Sequence, residues 1–183
     1  MRKLAYRLLV CAIFLLGSFY SQAQCSNTNA TDGAVTSGSL FAQSFQASCD
    51  GNITDVTVDI GIITGDDNLI TNANVYITTG NNPQAAVVGL SLTGITLTAG
   101  MTNTFDFSAA GVAVTNGSTY TLVIDDNSDA DDFEVEVDAA DPFASGSFWS
   151  DATTNVAGSD LDFSATVNDA PTITVPGAQT IQE

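Results

Sequence analysis

The sequence contains no histidine, and its only basic residues, Arg2, Lys3 and Arg7, stand within the first seven positions. The remaining chain carries 21 acidic residues and no cationic side chain to pair with them. Nucleic acid and anionic membrane surfaces are therefore excluded as expected partners, because nothing would neutralise their phosphates. Phosphate-handling enzymes are disfavoured for the same reason. The lack of histidine excludes Ser–His and Cys–His nucleophile pairs in this chain.

Residues 1–23 have the pattern of a signal peptide. The three basic residues precede an apolar run at 8–19 that is too short to span a bilayer comfortably. Ser21 and Ala23 then offer the small residues of a cleavage site. We predict export and removal of this segment, after which the formal charge falls from −18 to −21. A lipoprotein signal and an N-terminal membrane anchor are the alternatives, and no later segment approaches membrane length.

The middle of the chain consists of runs in which apolar and polar residues alternate. Apolar residues make up 44% of the sequence, which argues against a disordered acidic chain. Period-two alternation is typical of strands with one buried face, and no useful window keeps a helical period. Besides the two strands described next, the predicted strands are Ser39–Ala47, Ile53–Ile63, Asn72–Thr79, Ala86–Leu92, Ile95–Leu97, Thr104–Phe107, Val112–Val114, Ser147–Ser150 and Leu161–Val167.

Residues 119–138 give the clearest strand pattern. Tyr120, Leu122 and Ile124 alternate in the first half, and Phe133 begins a second alternating run after an acidic loop. We predict a hairpin here. Many short strands separated by Gly, Asn and Asp turns predict an all-β fold, an antiparallel β-sandwich of jelly-roll type. The predicted domain spans residues 24–167, which suffice for one core.

The loop of the predicted hairpin is dense in carboxylates, which repel one another. Counted from the first acid, oxygen-bearing residues stand at positions one, three, five, seven and twelve, the spacing of an EF-hand calcium loop. Ala130 replaces the usual turn glycine, and strands replace the flanking helices, so an EF-hand itself is not predicted. A calcium site and a merely solvated acidic loop remain alternatives. The candidate ligands are Asp125, Asn127, Asp129, Asp131 and Glu136.

Several short motifs resemble a family of bacterial jelly-roll modules found in large secreted and surface proteins. The motifs are Gln43-Ser44-Phe45, Gly117 with Tyr120 and Ile124, Gly146 with Trp149, and Asp160-Leu161 with Phe163. The resemblance implies a sandwich that is usually non-catalytic and often lacks an assigned ligand.

Residues 168–183 resemble the linker and first strand of a cadherin-like or immunoglobulin-like repeat that is truncated here. Asn168-Asp169 followed by Ala-Pro, a short strand and Glu183 carries that resemblance. It implies that Asn168, Asp169 and Glu183 help to hold calcium, and that the chain is the front of a longer protein. The alternative is a flexible C-terminal tail.

Two cysteines remain after removal of the signal peptide, which takes Cys11 with it. An exported chain meets an oxidising compartment, so a Cys25–Cys49 disulfide is predicted.

An enzyme would have to rely on paired carboxylates, as glycoside hydrolases do. Asp138 with Asp141, or Asp160 with Asp162 on one strand face, could supply such a pair. A solvated strand face opposite Leu161 and Phe163 explains Asp160 and Asp162 better than a catalytic pair does, and we expect no enzyme.

Trp149 and Tyr76 are the candidate ligand-binding residues, because sugar rings stack on exposed aromatic side chains. The alternative for Trp149 is that it plugs one end of the sandwich.

Together these patterns predict a non-catalytic module of a secreted or cell-surface, adhesion-type protein, stabilised by Ca²⁺. Its expected partner is an extracellular protein or glycan, with no nucleic acid, no membrane after signal removal and no strong evidence for an oligomer. A carbohydrate-binding module of a polysaccharide-active enzyme is the alternative function.

Overall fold

The computed structural model describes residues 24–29, 34–64, 68–127, 131–138 and 146–169, which form strands and turns without a helix. No helix long and apolar enough to cross a membrane therefore occurs among them. The predicted signal peptide lies outside these ranges. The strands are β1 (Gln24–Asn29), β2 (Ala34–Gly38), β3 (Leu40–Gln46), β4 (Gly51–Ile63), β5 (Leu69–Thr79), β6 (Leu92–Thr98), β7 (Met101–Asp106), β8 (Ala113–Val114), β9 (Thr119–Asp125), β10 (Phe133–Asp138), β11 (Phe148–Trp149), β12 (Asn155–Val156), β13 (Asp160–Leu161) and β14 (Phe163–Asp169).

These strands form two antiparallel sheets. Sheet A has the order β1-β14-β4-β10-β13, with β2 also paired to β10 and with β7 and β8 also paired to β4. Sheet B has the order β12-β11-β3-β9-β5-β6. Several successive long strands alternate between the sheets, since β3 and β5 lie in sheet B while β4 lies in sheet A, as is typical of jelly-roll sandwiches. The predicted antiparallel β-sandwich is confirmed.

The apolar side of each alternating strand packs into a core between the sheets. Phe41 of sheet B meets Phe133 of sheet A edge to face, with ring centroids 5.0 Å apart. Phe45 of sheet B contacts Phe163 of sheet A in a tilted arrangement, with ring centroids 5.6 Å apart. Such pairs contribute about 0.5–1.5 kcal/mol beyond the area they bury. The aromatic residues therefore join the two sheets across the core.

Residues 119–138 form two strands, as predicted, but they do not form a hairpin. Strand β9 lies in sheet B between β3 and β5, whereas β10 lies in sheet A beside β2 and β4. Both strands carry one apolar face, and this pattern suits two strands facing each other across a core as well as two paired neighbours. The acidic segment between them consequently connects opposite sheets.

The observed strands differ from the predicted ones mainly at short segments. Residues 86–92 were predicted as a strand, but they form only an isolated bridge between Thr78 and Val87 before β6 begins at Leu92. Strands β1, β2 and β12 lack a clear apolar alternation and were not predicted. Strand β14 continues to Asp169 and pairs there with the start of β4. Strand β14 therefore includes two residues that lie beyond the predicted boundary at residue 167.

Gln43 makes a buried polar bridge between the sheets. From β3 in sheet B, its Nε2 donates to Asp160 Oδ1 at 2.6 Å, and its Oε1 accepts from Leu161 N at 2.7 Å, both on β13 of sheet A. Gln43 and Asp160 are fully buried, and buried polar groups require such partners. Two of the motifs that resemble the bacterial modules are thus joined by hydrogen bonds, which gives these residues a structural role.

Candidate functional site

Three acidic side chains converge on the outer face of sheet A. Asp59 of β4, Glu136 of β10 and Asp162, which follows β13, place one carboxylate oxygen each within 4.8 Å of the others. Each residue alternates with core neighbours along its segment and is partly buried. Among the residues that the structure describes, this is the group whose donor atoms could hold a metal ion.

A change of pairing partner along β4 creates this convergence. Val58 pairs with Phe163 of β14, but Ile60 pairs with Val135 of β10. Asp162 lies at the fork between β10 and β14, and its backbone N donates to Glu136 O at 2.9 Å. Three strand segments thereby direct carboxylates to one point.

Thr102 of β7 extends the same row on the other side of β4. It pairs with Asp59, and its hydroxyl donates to Asp59 Oδ1. An open depression of about 260 Å³ lies here, lined in part by Gly61, Gly100 and Met101. The site thus offers carboxylate and hydroxyl oxygens as ligands for a hard cation, and an ion can reach them from solvent through the depression.

The chemistry of this cluster suits a hard cation. Three carboxylates within one small volume repel one another, and no cationic side chain follows Arg7 in the sequence. Calcium takes carboxylate, carbonyl, hydroxyl and water oxygens in flexible geometry. A divalent ion would relieve the repulsion that no residue of the predicted mature chain can relieve.

Two described members of the EF-hand-like set, Asp125 and Glu136, lie on two different sheets. Asp125 ends β9 in sheet B, whereas Glu136 points outward from sheet A, because β9 and β10 belong to opposite sheets. The Asp125 carboxylate instead accepts from Asn127 N at 2.8 Å. Asp131 is partly buried, and Asp129 lies outside the described residues. Glu136 thus lies on a different sheet from Asp125, and the calcium role of the loop residues stays a prediction.

The tail residues predicted to bind calcium are only partly described. Asn168 and Asp169 belong to β14, where they pair with Asn52 and Gly51 of β4. Glu183 lies outside the described residues. The role of these three residues in calcium binding stays a prediction.

Asp160 and Asp162, one of the two carboxylate pairs considered above, lie in different surroundings. Asp160 is fully buried against Gln43, while Asp162 joins the outer cluster. The expectation that they share a strand face is wrong, because the chain changes its partner between β13 and β14. Asp138 ends β10, and Asp141 lies outside the described residues.

The two candidate ligand-binding aromatic residues lie in one row across sheet B. Trp149 pairs with Ala42, Ala42 with Val123, and Val123 with Tyr76. Phe148, not Trp149, occupies the core at this end of the sheet, where it stacks on Phe41 with ring centroids 6.0 Å apart. Trp149 and Tyr76 are partly exposed.

The polar atoms of these two aromatic residues have distinctive surroundings. Burial, and secondarily the negative charge of Asp125, raise the pKa of the Tyr76 hydroxyl above its ordinary value. Tyr76 therefore stays a neutral hydroxyl beside a carboxylate. The Trp149 indole Nε1 is buried without a hydrogen-bond partner in the described part of the chain.

Cys49 is partly buried and packs against the core. Cys25 lies on β1 opposite Val167 of β14, near the end of β14 that pairs with the start of β4. The Cys25 side chain is outside the described part of the chain, so the Cys25–Cys49 pairing stays a prediction.

Sequence reasoning did not select Asp59, Asp162 or Thr102 for the metal cluster. The available signal was their position on the polar side of alternating segments, a position shared by many other residues. Only the neighbour relations among β4, β7, β10 and β14 distinguish them.

Comparisons with known proteins do not assign this chain to a family. No protein family matches the chain, and no curated protein matches it. The solved structures similar to it include "Structure of infectious bursal disease virus Gx strain", at 15% identity and a TM-score of 0.22 over 81% of this chain and 38% of that chain. The "Crystal structure of infectious bursal disease virus VP2 subviral particle" matches at 14% identity and a TM-score of 0.20, over 83% and 40%. The chain thus spans less than half the length of these viral chains, and similarity at this level carries no argument about function.

Proposed function

We propose that this protein is a non-catalytic extracellular β-sandwich module of a secreted or cell-surface, adhesion-type protein, stabilised by calcium. The observation that carries the proposal is the convergence of Asp59, Glu136 and Asp162 on sheet A. Export is supported by the sequence pattern of residues 1–23. An extracellular location would supply calcium at the millimolar concentrations that weak sites of extracellular modules require.

The position of the cluster explains how calcium would act on stability. Its ligands come from β4, from β10 and from the segment before β14, which are held together mainly by backbone pairing. A bound ion would bridge these segments at the fork of sheet A. It would add stability to the folded state only, in proportion to its occupancy.

Thermal unfolding in EDTA, in 10 mM calcium and in sodium chloride of matched ionic strength tests the proposal. With a dissociation constant of about 1 mM, 10 mM calcium stabilises the fold by about 1.4 kcal/mol. This corresponds to a rise in Tm of about 3–5 °C beyond the sodium chloride control.

Two double variants locate the ion. Asp59→Asn/Asp162→Asn is expected to abolish the calcium response and to raise Tm in EDTA, because it removes like-charge repulsion. The matched variant Asp129→Asn/Asp131→Asn, in the acidic loop, is expected to keep the calcium response. Loss of the response only in the loop variant would move the site to the loop. Identical curves in calcium and matched salt would refute calcium binding.

A further inference from the structure

The outer face of sheet B carries an aromatic residue at each end of one cross-strand row. The row runs from Trp149 through Ala42 and Val123 to Tyr76. Three strand spacings of about 4.8 Å separate its ends, so the Cα atoms of the two aromatic residues lie about 14 Å apart. This separation suits an extended ligand that contacts both rings better than a single small molecule.

The residues between the rings are small and belong to a different layer from the core. Ala42 and Val123 are fully buried, yet neither belongs to the hydrophobic core cluster. They lie on the side of β3 and β9 opposite to Phe41 and Leu122, which do belong to it. Ala42 and Val123 are therefore covered, so a ligand would contact the exposed parts of the Trp149 and Tyr76 side chains rather than these two residues.

Hydrogen-bonding groups accompany the rings. Asp125 lies in register with Asn74, beside Tyr76, and its charge is one of the two causes that raise the pKa of the tyrosine hydroxyl. At the other end, the Trp149 Nε1 atom is buried, so the indole would contact a ligand through its exposed ring surface. A small number of polar groups around apolar rings is the usual composition of a site that orients a polar ligand.

We propose that this face of sheet B binds a neutral glycan chain. Aromatic rings pack against the apolar faces of pyranose rings. The hydroxyl groups at the edges of the sugar remain free to donate and accept hydrogen bonds. Asp125, Asn74 and the Tyr76 hydroxyl supply acceptors and donors for sugar hydroxyl groups. The formal charge of −18, and the lack of any cationic side chain after Arg7, disfavour uronic-acid and sulfated glycans because like charges repel.

This site is independent of the proposed calcium site. The acidic cluster lies on the outer face of sheet A, on the opposite side of the sandwich. Glycan binding is therefore expected to persist in EDTA, and the two proposals can fail separately.

Native gels cast with soluble neutral polysaccharides (a mixed-linkage β-glucan, a galactomannan and soluble starch) test the proposal, with alginate as the polyanionic control. The chain is expected to be retarded by at least one neutral polymer, in EDTA as in calcium, and not by alginate. Because Trp149 is the only tryptophan of the chain, a change in its fluorescence on titration with the retarding polymer reports contact at this site directly.

Substitutions at the two rings complete the test. Trp149→Ala and Tyr76→Ala are each expected to weaken binding by about tenfold or more. Trp149→Phe keeps a smaller stacking ring and is expected to bind between wild type and Trp149→Ala. Ile62→Ala is the matched control, since Ile62 is 63% exposed on sheet A and its loss is expected to leave binding unchanged.

Circular dichroism establishes that each variant is folded. If Trp149→Ala fails to fold, Trp149→Phe and Tyr76→Ala carry the test. Absence of retardation by every neutral polymer would overturn the proposal. Retardation by alginate alone, or equal weakening by Ile62→Ala and Tyr76→Ala, would overturn it as well.

Discussion

Asp151 shows how a single exposed residue acquires a perturbed pKa from local geometry. Its Oδ1 accepts from Thr153 N and Thr154 N, each at 2.7 Å, and from the Thr153 hydroxyl at 2.9 Å. Hydrogen bonds from Thr154 and then Thr153 lower its pKa to about 2, because they favour the charged carboxylate. The turn between β11 and β12 is therefore closed by an ionised side chain.

The Asp151 pKa is a measurable prediction. NMR titration of the Asp151 carboxyl is expected to give a midpoint of about 2. Since the folded pKa is depressed, the stabilisation is present above the ordinary value near 4 and is lost as pH falls through about 2. Thr153→Ala removes one hydroxyl donor and is expected to move the midpoint upward. A midpoint at the ordinary value in wild type would contradict the hydrogen-bonded turn.

At the scale of the element, Gly89 and Gly94 both have a positive φ, +69° and +65°. Comparing them separates the cost of a left-handed backbone from the cost of a steric clash. A Cβ on Gly89 would approach Ala110 O at 2.5 Å, whereas a Cβ on Gly94 would meet nothing within 4 Å. Gly89 lies where the segment before β6 crosses the turn after β7. The chain there requires both a left-handed conformation and the absence of a side chain.

Denaturant unfolding of two alanine variants tests this distinction. Gly94→Ala is expected to cost about 1 kcal/mol, the backbone term alone. Gly89→Ala is expected to cost about 3 kcal/mol, because a backbone clash adds to that term. Equal losses in the two variants would show that the crossing of the two segments is not tightly packed.

At the scale of the whole molecule, the predicted disulfide would link the edge strand β1 to the chain before β4. A Cys25–Cys49 bond closes a loop of about 25 residues, which stabilises the fold by roughly 3 kcal/mol in a model based on chain entropy. Reduction is expected to lower Tm by about 10 °C. Intact mass of the exported chain after alkylation, with and without reductant, checks the bond, and Cys49→Ser serves as its control. Two alkylated thiols without reductant would contradict it.

The amino-acid sequence by itself determined the fold class and the electrostatic character of this protein. Alternation in segments such as 53–63 and 133–138 requires strands with one buried face, whatever their neighbours. The absence of cationic side chains after Arg7 requires that any relief of repulsion come from solution ions. Alternation is a local pattern and net charge is a sum over residues, so neither depends on contacts between residues distant in sequence.

Tertiary structure decided which residues meet. Glu136 was expected beside Asp125, but it joins Asp59 and Asp162 because β9 and β10 lie in opposite sheets and β4 changes its partner at the fork. Trp149 and Tyr76 share a row only because β3 and β9 lie between their strands. Strand order depends on pairing between segments distant in sequence, and alternation is the same for every possible neighbour. Candidate sites built from several strands therefore appear only when the sheets are assembled.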